Sequence, residues 1–408
     1  MRRHLTPVGT GVSLGSMIVP NEFLAGLEVV DFKKGALNPG EISTLTVEIM
    51  QKASGGDMSK DGKGELKGDG IGIKSRRWLR PVGKKEELKD LAIKAAIKAV
   101  ESTGMDPKEY LSELKVIMSA HESRIPKYPT LAQRVQEGLT EHYGIKLNID
   151  YAQNTSFACA GFPITLLTAN ALVRAGEVNG NVLVVGAEDV KGLVRKTKEG
   201  RYDVSIYLFG VGAAAMASKT TTEEHGAQTP GYVKSMPYMS EVERKARMSN
   251  SAALYDDVDT HITMADGALV KSGAIDYMRR SIIDQIKKHN PKGERRVVVC
   301  PHQANGRING PLERDLRREG ILRITDLYYA SGLEDNGNIS VPACLTGFDS
   351  MVRGQDYQRR AVREGQILPN DLVIITAVGA GMSGSAASII MPPKALAYMP
   401  EMVRRQYS

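Results

Sequence analysis

Residues 154–176 read NTSFACAGFPITLLTANALVRAG, and they place a single thiol, Cys159, at the start of a predicted long apolar helix. Two interpretations compete for this cysteine. Free cysteine is often buried as a small hydrophobic residue, whereas a helix N-terminus lowers the pKa of a thiol and favours a nucleophile. Taken alone, the stretch favours core packing, so residues elsewhere in the chain have to decide.

Predicted strands and helices alternate on both sides of this segment. Residues 114–120 (LKVIMSA) and 181–189 (NVLVVGAED) are typical of buried strands, and 130–144 is typical of a helix. Segment 86–104 predicts an amphipathic helix closed by Gly104. Its apolar face consists of Leu88, Leu91, Ala92, Ala95, Ala99 and Val100. This alternation is the pattern of a layered α/β fold.

The second half of the chain offers the same types of element. The apolar run 204–218 is predicted to be a strand of the first half, and the polar segment 219–250 a connection between the halves. The predicted elements that follow are a helix over 274–290, a strand over 297–300, a helix over 340–354 and two strands within 371–391. We therefore predict one domain over residues 1–220 and a second over 221–408. Residues 54–70, rich in Gly, Lys and Asp, are predicted to be an inserted surface loop.

Composition restricts the class of protein. The chain has 408 residues, of which 42% are hydrophobic and 25% charged, as is typical of a soluble globular protein. Its three cysteines have no paired spacing, which favours a reducing compartment over a disulfide framework. We see neither a signal peptide nor an apolar run of about 18 residues, and we therefore predict a cytoplasmic location away from membranes.

Charge points towards acidic partners. The net charge is +7 and the isoelectric point is near 9.1, which suits nucleic acid, an acidic carrier protein or the phosphates of coenzyme A. Only 5% of the residues are aromatic, and they do not interleave with basic residues, so we predict no nucleic-acid partner.

No Cys/His cluster has metal-ligand spacing. The G-x-G-x-x-G match at 379–384 precedes a strand rather than a helix, so no metal or dinucleotide cofactor is predicted.

Three polar residues stand at the ends of predicted buried elements. Cys159 precedes a helix, His302 follows the strand 297–300, and Asn338 lies between a glycine-bearing turn and a helix start. Each has an ordinary explanation, since Asn is a common turn former and a lone His is usually a satisfied polar residue. If the three converge, they suit acyl transfer through a thioester.

Three segments carry a resemblance to a known family. The segments FACAGF, PHQANGRI and GNISVPA, in that order, resemble the motifs of ketoacyl-acyl-carrier-protein synthase III, a family of thiolase-fold condensing enzymes. The resemblance extends over about residues 9–390. It implies an α/β thiolase fold in which two similar βαβ-type halves give a five-layered αβαβα architecture. It also implies a homodimer.

The resemblance assigns a role to each of these residues. It implies that Cys159 is acylated, and that His302 and Asn338 stabilise the enolate formed when the second substrate loses carbon dioxide. The backbone N–H groups of Cys159 and Ala380 would form the oxyanion hole. The family has Gly at position 380, but only the backbone is used. The helix end favours the thiolate of Cys159 without a dedicated base. Substrates would be thioesters of coenzyme A or acyl carrier protein, with no bound cofactor.

Further residues are assigned by position in the family pattern. Arg307 matches an arginine at the mouth of the acyl tunnel, where it would meet carrier-protein or coenzyme A phosphates, and Asn305 lies in the same loop. Glu122 stands where hydroxymethylglutaryl-coenzyme A synthases carry a catalytic glutamate that acts as general acid or base. An exposed loop position is an equally weighted explanation for Glu122. The basic cluster of Lys74, Arg76, Arg77 and Arg80 is a second candidate for phosphate contacts.

Departures from the family pattern leave the acyl donor open. The Trp and Arg that usually hold coenzyme A are missing, with Gly70 near the Arg position, and the usual FGDGA is FGVGA, with Val211. We predict an acyltransferase that performs decarboxylative Claisen condensation with a malonyl thioester, in fatty-acid or specialised acyl and polyketide biosynthesis. The alternatives are acyl transfer to an alcohol or amine, non-decarboxylative condensation with Glu122 as base, and a non-catalytic partner subunit.

Overall fold

The fold is taken from a computed structural model. It describes residues 3–20, 29–30, 72–80, 86–123, 125–126, 128–190, 202–222, 224–234, 248–251, 261–264, 267–379, 383–394, 396–397 and 399–407. The described helices are α1 Leu88–Glu101, α2 Pro107–Ser112, α3 Leu131–Tyr143, α4 Gly161–Ala175, α5 Gly267–His289, α6 Gly306–Arg318, α7 Gly332–Asn336, α8 Ala343–Arg353 and α9 Glu401–Tyr407. Short 3₁₀ turns span Ala158–Ala160 and Val204–Tyr207.

The described strands are β1 His4–Leu14, β2 Met17–Pro20, β3 Val29–Val30, β4 Ser75–Trp78, β5 Leu114–Ala120, β6 Tyr151–Thr155, β7 Asn181–Asp189, β8 Tyr202–Asp203, β9 Val211–Thr221, β10 Gly226–Ala227, β11 Tyr232–Lys234, β12 Met248–Ser251, β13 His261–Met264, β14 Val297–Pro301, β15 Leu327–Tyr328, β16 Leu372–Gly379 and β17 Ser383–Ile390. Most of them form two mixed sheets, and the remainder pair in three two-stranded ribbons.

The two sheets share one topology. The first has the order β1-β9-β7-β5-β6, and the second has the order β10-β17-β16-β14-β15, with β11 also pairing with β17. In the first sheet β7, β5 and β6 are parallel and β9 is antiparallel to its neighbours. In the second sheet β16, β14 and β15 are parallel and β17 is antiparallel. The predicted similarity of the two halves is therefore present in the strand order.

Helices and sheets stack in five layers. Helices α4 and α8 lie in the middle layer, where α4 contacts β5 and β7 of the first sheet and β16 and β17 of the second. Helix α8 likewise contacts both sheets. Helices α1 and α3 cover the outer face of the first sheet, and α5 covers the second with α6 packed beside it. This confirms the predicted αβαβα architecture. The domain boundary at residue 220 stays a prediction.

The apolar helix after Cys159 forms the centre of the core. Among the residues that the structure describes, the helical run 158–175 is the one that would be long and apolar enough to cross a membrane, and 56% of it is buried inside the protein. This burial is typical of a core helix, and the expectation of no membrane partner stays a prediction. Its contacts with both sheets explain its composition, because a helix covered on opposite sides needs apolar residues around its whole surface.

Most predicted elements are confirmed. Helix α1 buries all six residues predicted for its inner face, and Gly104 follows in the left-handed region with φ +73°. The strand predicted over 204–218 was wrong in its first part, where the chain forms a 3₁₀ turn and β9 begins only at Val211. The intervening backbone instead bonds to the Asn338 segment. The predicted connection 219–250 also contains β10 and β11, and the 54–70 loop lies outside the described residues.

A strand glycine sets the distance between α1 and the first sheet. A Cβ at Gly11 would lie 2.3 Å from the Ala95 carbonyl oxygen and 2.6 Å from the Ala99 nitrogen, both of them backbone atoms of α1. We expect Gly11→Ala to lower the free energy of unfolding by about 1–3 kcal/mol, because the helix has to move away from the strand. Urea unfolding measures this difference.

A matched glycine provides the control. A Cβ at Gly310 in α6 would meet only the Arg314 Nη1 atom, at 3.5 Å, so Gly310→Ala introduces no clash. Ala also loses less conformational entropy than Gly when the helix forms. It should stabilise the protein by up to about 1 kcal/mol. Equal destabilisation by the two substitutions would contradict the packing argument.

Candidate active site

Cys159 lies in a tight turn that joins β6 to α4. The preceding residue, Ala158, has φ +45°, a left-handed conformation that residues with a Cβ rarely adopt. The turn also touches the second sheet, since the Ser385 hydroxyl donates a hydrogen bond to the Ala160 carbonyl at 3.0 Å. A Cβ at Gly379, the last residue of β16, would lie 3.2 Å from the Cys159 nitrogen. The turn is therefore fixed between the two halves.

Ser340 links Cys159 to Asn338 through its hydroxyl and its backbone N–H. The Cys159 Sγ lies 3.2 Å from the Ser340 Oγ, and the Ser340 N–H donates to the Asn338 Oδ1 at 2.8 Å. This second bond fixes the orientation of the Asn338 amide and leaves its Nδ2 as the donor for a bound carbonyl. Ser340 itself has φ +58°, so the backbone bends sharply at the contact.

Asn338 is held by the segment that was predicted to be a strand. Its N–H donates to the Leu208 carbonyl at 2.8 Å, and its carbonyl accepts from the Gly210 N–H at 2.9 Å. Both bonds connect the first half of the chain to the loop between α7 and α8. The strand β9 therefore begins only at Val211 for a structural reason, because the backbone groups before it position Asn338.

His302 follows β14 directly, as predicted. Its N–H donates to the Thr376 carbonyl of β16 at 2.7 Å, and its carbonyl accepts from the Asn309 amide at 3.1 Å. The side chain is 2% exposed, and burial lowers the pKa of the imidazole to about 4. The ring is therefore neutral near pH 7 and keeps one N–H to donate. Because β16 ends at Gly379, beside Cys159, the strand that holds His302 also reaches the nucleophile turn.

Burial controls the protonation of Cys159. It raises the pKa of the thiol to about 12, whereas the hydrogen bond to Ser340 lowers the pKa and the Glu188 and Glu122 charges raise it. Desolvation opposes the effect expected of the helix end, and the raised pKa favours the neutral thiol near pH 7. The expectation that the helix end favours the thiolate stays a prediction.

We expect Ser340→Ala to raise the pKa of Cys159 further, because the side-chain hydrogen bond that favours the thiolate is removed. Iodoacetamide alkylation should slow by about threefold to tenfold, since only the thiolate reacts and one pKa unit is a factor of ten in its population. In both proteins the rate should rise about tenfold per pH unit between pH 7 and 9, below the thiol pKa.

The control removes a buried hydroxyl elsewhere. Ser388 donates to Gln285 on the outer side of the second sheet. Ser388→Ala should keep the wild-type alkylation profile. A plateau below pH 9 in the wild type would contradict the raised pKa.

Glu122 lies in the loop after β5 and contacts the nucleophile turn. Its carboxylate accepts the Ser156 hydroxyl at 2.8 and 2.7 Å and the Ala158 N–H at 2.7 Å. It is half-buried. These contacts give the carboxylate a structural role, and the role as general base stays a prediction.

The remaining assigned residues are placed as follows. Asn305 is the residue before α6, and its Oδ1 is buried without a hydrogen-bond partner among the described residues. Arg307 lies half-buried in the first turn of α6. Both stay predicted substrate contacts. Ala380 and Gly70 lie outside the described residues.

Half of the basic cluster predicted for phosphate contacts is internal. Arg76 is fully buried and donates to the Val19 carbonyl at 3.2 Å, and Arg77 is also buried. These two side chains therefore serve the fold. Lys74, which pairs with Glu334, and Arg80 are exposed, and their phosphate contacts stay predictions. Over the described parts of the chain, no group of three or more His, Cys, Asp or Glu residues could hold a metal ion.

Sequence reasoning missed two residues. Ser340 was quoted within GNISVPA, but its contact with Cys159 depends on a positive φ that the sequence does not reveal. Glu188 is a buried carboxylate at the end of β7. A charged residue that closes an otherwise apolar strand was the available signal.

Comparisons with known proteins agree with this geometry. Residues 154–232 match the family described as 3-oxoacyl-[acyl-carrier-protein (ACP)] synthase III. The beta-ketoacyl-[acyl-carrier-protein] synthase III of Staphylococcus saprophyticus subsp. saprophyticus is 25% identical over 318 residues, which cover 78% of this chain and 87% of that protein. That of Clostridium perfringens is 27% identical over 324 residues, covering 78% and 89%.

Solved structures share the fold. The 3-oxoacyl-[acyl-carrier-protein] synthase III of Aquifex aeolicus has a TM-score of 0.65 at 23% identity, covering 95% of this chain and 99% of that one. The priming β-ketosynthase of the R1128 polyketide pathway has a TM-score of 0.68 at 20% identity, covering 96% and 97%. Xanthomonas campestris OleA, solved with lauric acid and lauroyl-CoA, has a TM-score of 0.60 at 16% identity, covering 95% and 99%. The chain is therefore similar in sequence to beta-ketoacyl-acyl-carrier-protein synthases III, with the family match confined to residues 154–232, and it shares the fold of their solved structures.

Proposed function

We propose that the protein takes an acyl group onto Cys159 from an acyl thioester and condenses it with a malonyl thioester, with loss of carbon dioxide. The observation that carries the proposal is the link from the Cys159 Sγ through Ser340 to the oriented amide of Asn338. The neutral His302 is the proposed second hydrogen-bond donor.

The first half-reaction transfers the acyl group. The sulfur of Cys159 attacks the donor carbonyl, a new S–C bond forms, and the donor's C–S bond breaks. The donor thiol leaves and takes up the proton that Cys159 loses. Backbone N–H groups of the nucleophile turn stabilise the tetrahedral oxyanion. Kinetics of the ping-pong type follow, because the first thiol leaves before the second substrate binds.

The second half-reaction forms the carbon–carbon bond. The malonyl C–CO₂ bond breaks, carbon dioxide leaves, and the electron pair moves into an enolate. The enolate oxygen accepts hydrogen bonds from the His302 imidazole and the Asn338 Nδ2. The enolate carbon then attacks the acyl carbonyl on Cys159, and the thiolate leaves. Neutral donors suit this step because they stabilise charge only as it develops.

The substrates and setting are proposed from three supports. The family's names specify an acyl carrier protein, the OleA structure holds lauroyl-CoA, and the net charge of +7 favours acidic carriers or phosphates. We assign the reaction to fatty-acid or polyketide biosynthesis in the cytoplasm. A homodimer is proposed from the resemblance to the family alone.

One experiment tests the proposal. The protein is incubated with a panel of acyl-coenzyme A and acyl-carrier-protein thioesters, and intact mass is measured. We expect an acyl adduct in the wild type and none in Cys159→Ala. Adding malonyl-carrier protein should then release carbon dioxide and form a ketoacyl product. Absence of any adduct would overturn the enzyme assignment, and an adduct that moves to an alcohol or amine without carbon dioxide release would favour plain acyl transfer.

Non-decarboxylative condensation is the second candidate. It is favoured by the position of Glu122, whose carboxylate bonds to the residue next to Cys159. In that reaction a carboxylate removes a proton from an acyl α-carbon. Two acyl-coenzyme A molecules would then give product without malonyl thioester, and the same mass measurement detects it.

A further inference from the structure

A buried carboxylate ties together the ends of two strands behind the nucleophile turn. Glu188, 1% exposed at the end of β7, accepts the Glu122 N–H at 3.1 Å to each oxygen and also the Ser123 hydroxyl. The Ser123 Oγ in turn accepts the Asp189 N–H at 2.6 Å. The segment that follows β5 is thus fixed to the end of β7 by a group that the proposed reaction does not use.

Glu122 continues this connection to the nucleophile. Its backbone N–H is the group held by Glu188, and its carboxylate holds the Ser156 hydroxyl and the Ala158 N–H. Ala158 adopts φ +45°, which is disfavoured for a residue with a Cβ. Such a conformation persists only where surrounding bonds enforce it. The Glu122 carboxylate supplies two such bonds, to the Ser156 hydroxyl and to the Ala158 N–H itself.

We propose that Glu188 is a positioning residue that acts through Glu122 to hold the turn 156–158 in the form that presents Cys159 and its backbone N–H to a substrate. The structural part of this proposal stands on the hydrogen bonds alone. Its consequence for acylation rests on the proposed function.

The hydrogen bonds that Glu188 makes to the Glu122 N–H and the Ser123 hydroxyl, called the anchor below, require an acceptor oxygen rather than a charge. One oxygen, Oε1, receives both the Glu122 N–H and the Ser123 hydroxyl. Burial raises the pKa of Glu188 to about 8, and the charges of Glu122 and Asp189 raise it as well. A protonated carboxyl group keeps an acceptor oxygen, so the anchor persists on both sides of that pKa. Gln keeps the same oxygen, whereas Met keeps the volume and loses the acceptor.

Two readouts test the proposal on Glu188→Gln and Glu188→Met. Hydrogen–deuterium exchange of the peptide covering 156–160 reports the turn, and the rate of Cys159 acylation reports its function. We expect Glu188→Met to speed the exchange and slow the acylation, each by about tenfold or more. Glu188→Gln should stay within about threefold of the wild type in both.

A matched control removes a buried carboxylate elsewhere. Asp326, 2% exposed, accepts the Val297 N–H at the start of β14, the opposite end of the second sheet from the site. Asp326→Leu should lower stability without changing exchange at 156–160. Should Glu188→Met fail to fold, Glu188→Gln is compared with Glu122→Met: the exchange must stay slow in the first and rise in the second.

Action through Glu122 is tested by a double substitution. Adding Glu188→Met to Glu122→Met should change the exchange at 156–160 by less than about twofold, because the link is already broken. Three results would each overturn the proposal. The two substitutions could multiply each other's effect on the exchange, Glu188→Met could exchange as slowly as the wild type, or Glu188→Gln could exchange as fast as Glu188→Met. If no thioester acylates the wild type, the proposed function fails while the exchange results still decide the role of Glu188.

Discussion

Replacing His302 by Ala is expected to slow the condensation step by about 10²- to 10³-fold while leaving acylation of Cys159 within about threefold. The imidazole is buried and neutral, since burial lowers its pKa to about 4, and under the proposed function it donates a hydrogen bond to the enolate oxygen. Loss of a preorganised donor from a dry site removes stabilisation where charge develops. Carbon dioxide release from malonyl-carrier protein, measured on enzyme already acylated, reports this step.

The pH dependence gives the same role a second check. The charged imidazole appears only as the pH falls towards 4, so condensation by acylated wild-type enzyme should show no loss from His302 protonation between pH 6 and 8. His142, on α3, provides the control, and His142→Ala should leave both half-reactions unchanged. Equal slowing of acylation and condensation in His302→Ala would instead mark His302 as the base for Cys159.

The sequence predicted the fold wherever pattern and packing agree. Helix α1 is specified by its own apolar face and its closing glycine, and all six predicted inner residues are buried. The first part of the strand predicted over 204–218 was wrong because the apolar residues before Val211 are buried for another reason. Their backbone bonds to Asn338 from a distant part of the chain, and local periodicity carries no information about such a partner.

The candidate site was predictable in its members but not in its electrostatics. Cys159, His302 and Asn338 stand at the ends of buried elements, as the motifs indicate, and the structure adds Ser340 as the link between two of them. A helix start suggested a thiolate, yet the degree of burial decides the pKa of Cys159, and burial depends on contacts from both halves. Likewise, Glu122 was found by position, whereas its hydrogen bonds to Ser156 and Ala158 required coordinates.

Gly379→Ala is expected to slow acylation of Cys159 by about 100-fold, because the end of β16 touches the nucleophile turn through backbone atoms alone. A Cβ at this position would lie 2.7 Å from the Phe157 carbonyl oxygen, 2.9 Å from the Ala160 nitrogen and 3.2 Å from the Cys159 nitrogen. None of these atoms can rotate away as a side chain can. The turn has to shift by several tenths of an ångström, which moves the Cys159 N–H away from the position of the oxyanion.

Comparing the acylation rate with the alkylation rate of Cys159 separates a displaced backbone N–H from a general loss of structure. Iodoacetamide needs only an accessible thiolate, so Gly379→Ala should alkylate within about threefold of the wild type while its acylation falls. The matched control is Gly212→Ala in β9, where the nearest atom to the new Cβ is the Leu14 Cδ2 at 2.7 Å, a side-chain end that can move. That variant should lose some thermal stability and acylate normally. Wild-type acylation by Gly379→Ala would show that the turn adapts, and the close approach of β16 would then have no part in placing the nucleophile's amide.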